Sequence, residues 1–298
     1  MAALRQCPKA DLHIHGIGGG DRAFLREVTG IDVAPLAGTL RSMAEMHAFT
    51  DQNLAQVFEG SEGRALAFHA TFVQAQRDGV TRLEVGEDAW AITLHAGSAE
   101  AVWTMLCDAH RARAPNIDWI PQLGISRHCP LSAIQRWIEP LLELGRFRTL
   151  DLSGDEFAQP IEAFASVYRQ AKAAGLRLKA HVGEWGTADD VWRAVEVLEL
   201  DEVQHGIAAS TSPQVMRALA DTRVRLNICP TSNVKLGRVE SLATHPIRRL
   251  FDAGVRVTIN TDDPLIFGNT LSQEFLAMFD SGLMTTAELD AIRLEAFT

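Results

Sequence analysis

The 298-residue chain holds only four cysteines, Cys7, Cys107, Cys129 and Cys229, and no two of them form a Cys-x-x-Cys pair. Thiols so scattered exclude a disulfide framework and fit a reducing compartment, so a cytoplasmic location is expected. No apolar run approaches the roughly 18 residues that a membrane span requires, and Met1 to Lys9 contains no apolar core of a signal peptide. There is no Lys/Arg run either. With 38 acidic against 28 basic residues and a net charge of −10, neither nucleic acid nor an anionic membrane is expected as a partner. No Pro/Ser-rich linker or low-complexity stretch divides the chain, so residues 1–298 are expected to form a single domain. The oligomeric state stays open.

What is present is core-forming material: 47% of residues are hydrophobic and 22% charged, which excludes intrinsic disorder. One pattern recurs. An amphipathic stretch ends in Gly79, Gly175 or Gly254, and a short β-branched run follows, as expected for a helix closed by a left-handed glycine and succeeded by a strand. Eight strand-like runs result: Ala10–His15, Val80–Val85, Ile117–Ile125, Arg148–Leu152, Leu176–His181, Glu202–His205, Val224–Cys229 and Val255–Asn260. Most are spaced by about 20–40 residues, room for one crossover helix and parallel pairing. The expected fold is α/β, a single (β/α)8 TIM-type barrel. Extra helices in the long interval after the first strand are expected to form a lid. An open doubly wound sheet is the alternative, but Gly16-Ile17-Gly18-Gly19-Gly20 does not match its phosphate-binding turn.

Histidines and carboxylates gather at the predicted strand ends. Residues i and i+2 of a strand share a side, so His13 and His15 can serve one ion. His181 and Glu184 close the fifth strand, His205 the sixth, and Asp262 and Asp263 follow the eighth. Any one of these could be a cap or salt-bridge partner. Together, at the C-terminal ends of barrel strands, they mark an active site. The other histidines, His47, His69, His95, His110, His128 and His245, read as surface or packing residues. His95, with Trp90, is the exception with most claim to the active face.

Six segments in order, Pro8–His15, Asp151–Glu156, His181–Glu184, Gln204–Gly206, Cys229–Asn233 and Asn260–Phe267, resemble the adenosine deaminase family of the amidohydrolase superfamily. The resemblance implies hydrolytic deamination of a 6-aminopurine nucleoside or base, with one Zn²⁺ per chain held by His13, His15, His181 and Asp262. It implies Glu184 as proton shuttle to the purine N1, His205 as the group orienting the attacking hydroxide, Asp263 as acceptor from water and partner of N7, and the Gly154 N–H as partner of N3. Zinc chemistry suits those roles, because a bound water loses its proton near pH 7 and an aromatic 6-amino carbon resists attack until N1 is protonated.

A dinuclear amide or ester hydrolase of the same superfamily would need a bridging Lys near Asp151–Gly154, and none is there. A binding protein that kept the barrel without the chemistry would have lost Glu184 or a ligand. The substrate is less determined. Adenosine deaminases resembling this chain have an Asp, and nucleobase-specific relatives a Glu, where it has Ile17. That change, with Trp185 as a possible aromatic wall, points to a modified adenosine or adenine derivative as the alternative to adenosine. The chain ends at Thr298 within a predicted last helix, and a longer natural tail is expected.

Overall fold

A computed structural model describes residues 1–298, apart from the side chain of Ala2. One eight-stranded sheet runs in chain order: β1 Ala10–Asp11, β2 Arg82–Asp88, β3 Asp118–Ser126, β4 Thr149–Ser153, β5 Arg177–Val182, β6 Glu202–His205, β7 Arg225–Ile228 and β8 Arg256–Ile259. Every neighbouring pair is parallel. Helices fill the crossovers, and Gly79, Gly175 and Gly254 close the helices before β2, β5 and β8 with φ of 71°, 83° and 78°. This is the expected (β/α)8 barrel.

The first strand is shorter than its apolar alternation suggests. The Leu12 N–H donates to the Asn260 side-chain carbonyl at 2.8 Å, so a side chain replaces a rung of the ladder. The Thr261 N–H and hydroxyl also donate to the Asp11 carboxylate at 3.3 and 2.5 Å. The segments after β1 and β8 are joined backbone to backbone by His15 N–H to Asp262 O at 3.0 Å and Asp262 N–H to His13 O at 2.9 Å, around an isolated bridge between Ile14 and Asp262. This seam closes the barrel. β2, by contrast, runs three residues past the expected Val85, carrying Glu87 and Asp88 to its end.

Two apolar clusters hold the molecule. The larger packs the crossover helices on the barrel, with Leu83, Leu150, Val203 and Leu226 fully buried. The smaller joins the helices Arg22–Thr29 and Met43–Phe58 to the segment after β8 through Phe24, Leu54, Phe58, Leu265 and Phe267. Deep in the barrel the filling is charged rather than aliphatic: Lys179 Nζ lies 2.6 Å from Glu84 and 3.1 Å from Glu202. Among the described residues no helix is long and apolar enough to cross a membrane. The last helix, Thr286–Glu295, ends before the final three residues.

Candidate active site

The C-terminal ends of the strands converge on a cavity of about 310 Å³. His15 and His181 line it, and the buried His13 has its Nε2 3.0 Å from His181 Nε2, which lies 3.3 Å from His15 Nε2. Asp262 Oδ1 stands 3.1 Å from His15 and 3.6 Å from His13, and one donor atom from each of these four lies within 4.8 Å of all the others. Their outer contacts decide which nitrogens face inward. The Asn227 carbonyl can only accept, so His13 Nδ1 at 2.9 Å carries the proton and Nε2 offers a lone pair. The Asp151 carboxylate stands 3.3 Å from His181 Nδ1, a charge contact that favours the proton on that nitrogen. Lone pairs 3.0 Å apart repel unless a cation lies between them. Three imidazoles and a carboxylate are the donor set of a borderline-soft divalent ion, so these residues fit a metal.

Electrostatics agree with the geometry. Burial, then the neighbouring His205 and His181, holds His13 well below the usual imidazole range, which keeps it neutral. Burial alone would raise Asp262, but the hydrogen bond from His15 and the surrounding imidazoles hold it well below the usual carboxylate range. Ser232 Oγ donates to Asp262 Oδ2 at 2.6 Å, leaving Oδ1 for the histidines. Asp262 and His205 both sit in the left-handed region, with φ of 65° and 62°. Non-glycine residues there store strain that the surrounding fold must hold in place, a pattern typical of functional sites.

Beside this cluster stands the acid. Glu184 lies between two fixed points, the turn at Gly183 (φ 72°) that ends β5 and the Thr187–Asp190 capping box that starts the next helix. Burial first, and the Asp262 charge second, push its carboxyl well above the ordinary range, which favours the protonated form. Its Oε1 is 3.5 Å from His205 Nε2, and burial lowers His205 to about 3. Asp263, raised by burial and by Asp262 to about 7, reaches the cavity because Gly18 has no side chain: a Cβ there would collide with the Asp263 carboxylate.

The structure brings His15, His181, Glu184, His205, Asp262, Asp263, Gly154 and Ile17 to one cavity. His13, which is buried and not part of the wall among the described residues, joins His15, His181 and Asp262 in the donor cluster. Trp185 is different. Among the described residues it is not part of the cavity wall; its Nε1–H donates to Glu184 Oε2 at 2.9 Å, and Arg238 lies 4.1 Å over its ring. It holds the acid through that indole N–H and packs on the apolar cluster of Phe24 and Leu54. Three further expectations change. Trp90 lines the cavity and His95 is absent from its wall among the described residues. His47 and His128 also line it, their rings 4.9 Å apart. His245 is buried as a packing residue would be, and is also hydrogen-bonded to Asn233 at 3.2 Å.

Sequence reasoning also missed Glu156, whose carboxylate accepts from the backbone N–H groups of Gly183, Glu184 and Trp185 at 2.7–2.9 Å. It missed the buried pair of Arg64 and Glu87 in the cavity wall as well. For Glu156 the signals were its place after the fourth strand and at the end of the matching segment Asp151–Glu156; for Glu87 it was position alone, at the end of β2 on the active face.

Residues 64–297 match the adenosine deaminase family. A Treponema pallidum protein with a provisional adenosine/adenine deaminase name is 36% identical over 288 residues, which cover 97% of this chain and 96% of that protein. The chain belongs to the adenosine deaminase family. It is accordingly a hydrolytic deaminase acting on C–N bonds of cyclic amidines. Solved structures share the fold. An adenine deaminase from Arthrobacter aurescens superposes with a TM-score of 0.83 at 24% identity, covering 97% of this chain and 92% of that one. A Burkholderia ambifaria amidohydrolase with bound Zn gives 0.81 at 21%, covering 99% and 86%.

Proposed function

We propose that the protein hydrolyses the exocyclic amino group of a 6-aminopurine, taking up one water and releasing ammonia and the 6-oxopurine, with one zinc ion held by His13, His15, His181 and Asp262. The observation that carries this reading is the buried Glu184 carboxyl, pushed up by burial and by Asp262, standing at one cavity with His15, His181 and Asp262 of that ligand set. Zinc in that position is a Lewis acid that makes water nucleophilic at neutral pH. Glu184 gives its proton to N1, which makes the C6 carbon electrophilic, then takes the proton of the hydroxyl added at C6 and passes it to the departing amine, leaving the 6-oxopurine. His205 orients the nucleophile from its Nε2. Asp263, poised near neutrality, can hold N7, and Gly154, at the end of β4 with φ of 92°, presents its backbone to N3.

A second reading concerns the N9 substituent. Ile17 lines the cavity and packs on the apolar cluster of Phe24 and Leu54, so it offers no acceptor to a sugar hydroxyl. A charge-assisted hydrogen bond is worth about 1.5–3 kcal/mol, which favours a substituted adenine or modified nucleoside over plain adenosine. Release of ammonia or amine from adenine, adenosine, and N6- and 5′-modified nucleosides tests both readings. No turnover across the panel overturns the purine assignment. A kcat/KM for adenosine of about 10⁵ M⁻¹s⁻¹ or more, well within the usual enzyme range, overturns only the shifted preference.

A further inference from the structure

His205 does not choose its tautomer freely. A chain of three contacts leads from it to a backbone amide whose role is not negotiable. The Ile247 N–H can only donate, and it donates to His245 Nδ1 at 3.1 Å. His245 Nδ1 is therefore a lone pair, and the proton of the neutral ring sits on Nε2. That Nε2–H faces Asn233 Oδ1 at 3.2 Å, so the carbonyl end of the amide must point to His245. The amide NH₂ then points the other way, to His205 Nδ1 at 3.2 Å, and that nitrogen must accept. The remaining proton of a neutral His205 is left on Nε2, 3.5 Å from Glu184 and 3.9 Å from the Asp262 carboxylate. His205, Asn233 and His245 are all buried, so no bulk water competes for these contacts.

We propose that Asn233 and His245 are positioning residues that lock His205 in its Nε2–H form, so that it meets the reacting centre as a hydrogen-bond donor and not as the general base. The inference rests on the deaminase reading for its catalytic consequence, but the tautomer itself stands on this geometry alone. The amide is the element that inverts the polarity. A carboxylate in its place would demand a proton from His205 Nδ1 and strip the donor from Nε2, the same tautomer logic by which a misoriented histidine costs about 10⁴-fold in serine-protease triads.

The test uses zinc-loaded protein with ¹⁵N-labelled histidine, the His205 signals being assigned by their loss in His205→Gln. Two-bond ¹H–¹⁵N correlations should show protonated Nε2 and bare Nδ1; the reverse pattern overturns the proposal. In Asn233→Asp the pattern should invert, and kcat for adenine and adenosine should fall about 10²–10⁴-fold, the span of a general acid–base contribution, with KM and zinc content little changed. An inverted pattern with kcat within threefold overturns the catalytic consequence. Because a buried Asp could unfold the protein, His245 supplies an independent pair. Gln places an amide donor where His245 Nε2–H stands and should preserve the His205 pattern and kcat within about tenfold; Leu should lose both. Equal activity in the two variants overturns the proposal. Wild-type protein with the expected tautomer but no purine turnover would overturn the reaction assigned above and leave the lock standing.

Discussion

Two carboxyl groups a few ångströms from the same histidines are driven to opposite states. Asp262 is surrounded by imidazoles and a hydroxyl donor and stays ionised, whereas Glu184 has burial and a neighbouring anion that push its carboxyl toward the protonated form. Environments that push paired carboxyls apart divide ligand from acid without any change of residue type. Trp185 adds orientation, fixing one Glu184 oxygen through its indole N–H and leaving Oε1 toward the cavity floor. Gln at position 184 keeps the shape and a hydrogen bond to N1 but has no proton to transfer. Glu184→Gln should therefore bind zinc as wild type does and lose at least about 10²–10⁴-fold in kcat. Ammonia release and metal content measured on the same sample check this, and a variant retaining a tenth of wild-type kcat would remove Glu184 from the role.

At the scale of elements, catalytic side chains sit on short connections whose backbones are anchored from elsewhere. The Gly183–Trp185 turn hangs on Glu156, a residue of the β4 connection, through its backbone N–H groups. Arg127, from the β3 connection, ties both sides together by donating to the Glu156 and His181 carbonyls at 2.7 and 3.3 Å. Glu156→Ala leaves those amides without their acceptor, each costing about 1–3 kcal/mol if it stays dry. The thermal midpoint should fall, and kcat should drop at least tenfold while zinc content holds, because no ligand is touched. Unchanged kcat would show that the turn is positioned without Glu156. Such anchors are where sequence reading stops. Strand ends were legible because alternation and closing glycines are local, and His13, His181 and Asp262 were legible because their chemistry is tied to those ends. Glu156 reaches its partners 27 to 29 residues along the chain, and the path from His205 through Asn233 to His245 crosses two connections. Nothing local distinguishes His245 from a surface histidine. Trp185 misled for the same reason: adjacency to Glu184 in sequence says nothing about which way the turn faces it.

For the whole molecule, the site lies across its weakest closure. Backbone to backbone, the β1 and β8 segments share one isolated bridge and two hydrogen bonds at the mouth, and side chains supply the rest, Asn260 accepting from Leu12 N–H and Asp11 accepting from Thr261. His13 and His15 stand on the β1 side of this seam, Asp262 on the β8 side and His181 on β5, so an ion held by these four residues would staple the barrel where its own ladder is thinnest. An ion bound by the folded state alone stabilises it by about 4 kcal/mol at a thousandfold excess over its Kd. Chelation should accordingly lower the thermal midpoint by several degrees, and zinc should restore it. Hydrogen exchange should show where the change falls: residues 12–15 and 260–262 should lose protection on metal removal, while β3 and β4, remote from the seam, should change little. His181→Ala, which takes away a ligand but neither side of the seam, should bind zinc poorly and make the midpoint insensitive to chelator. Metal analysis should give one ion per chain, and two per active chain would overturn the single-ion site. If chelation stripped the metal and the seam amides exchanged no faster than before, the ion would have no part in closing the barrel.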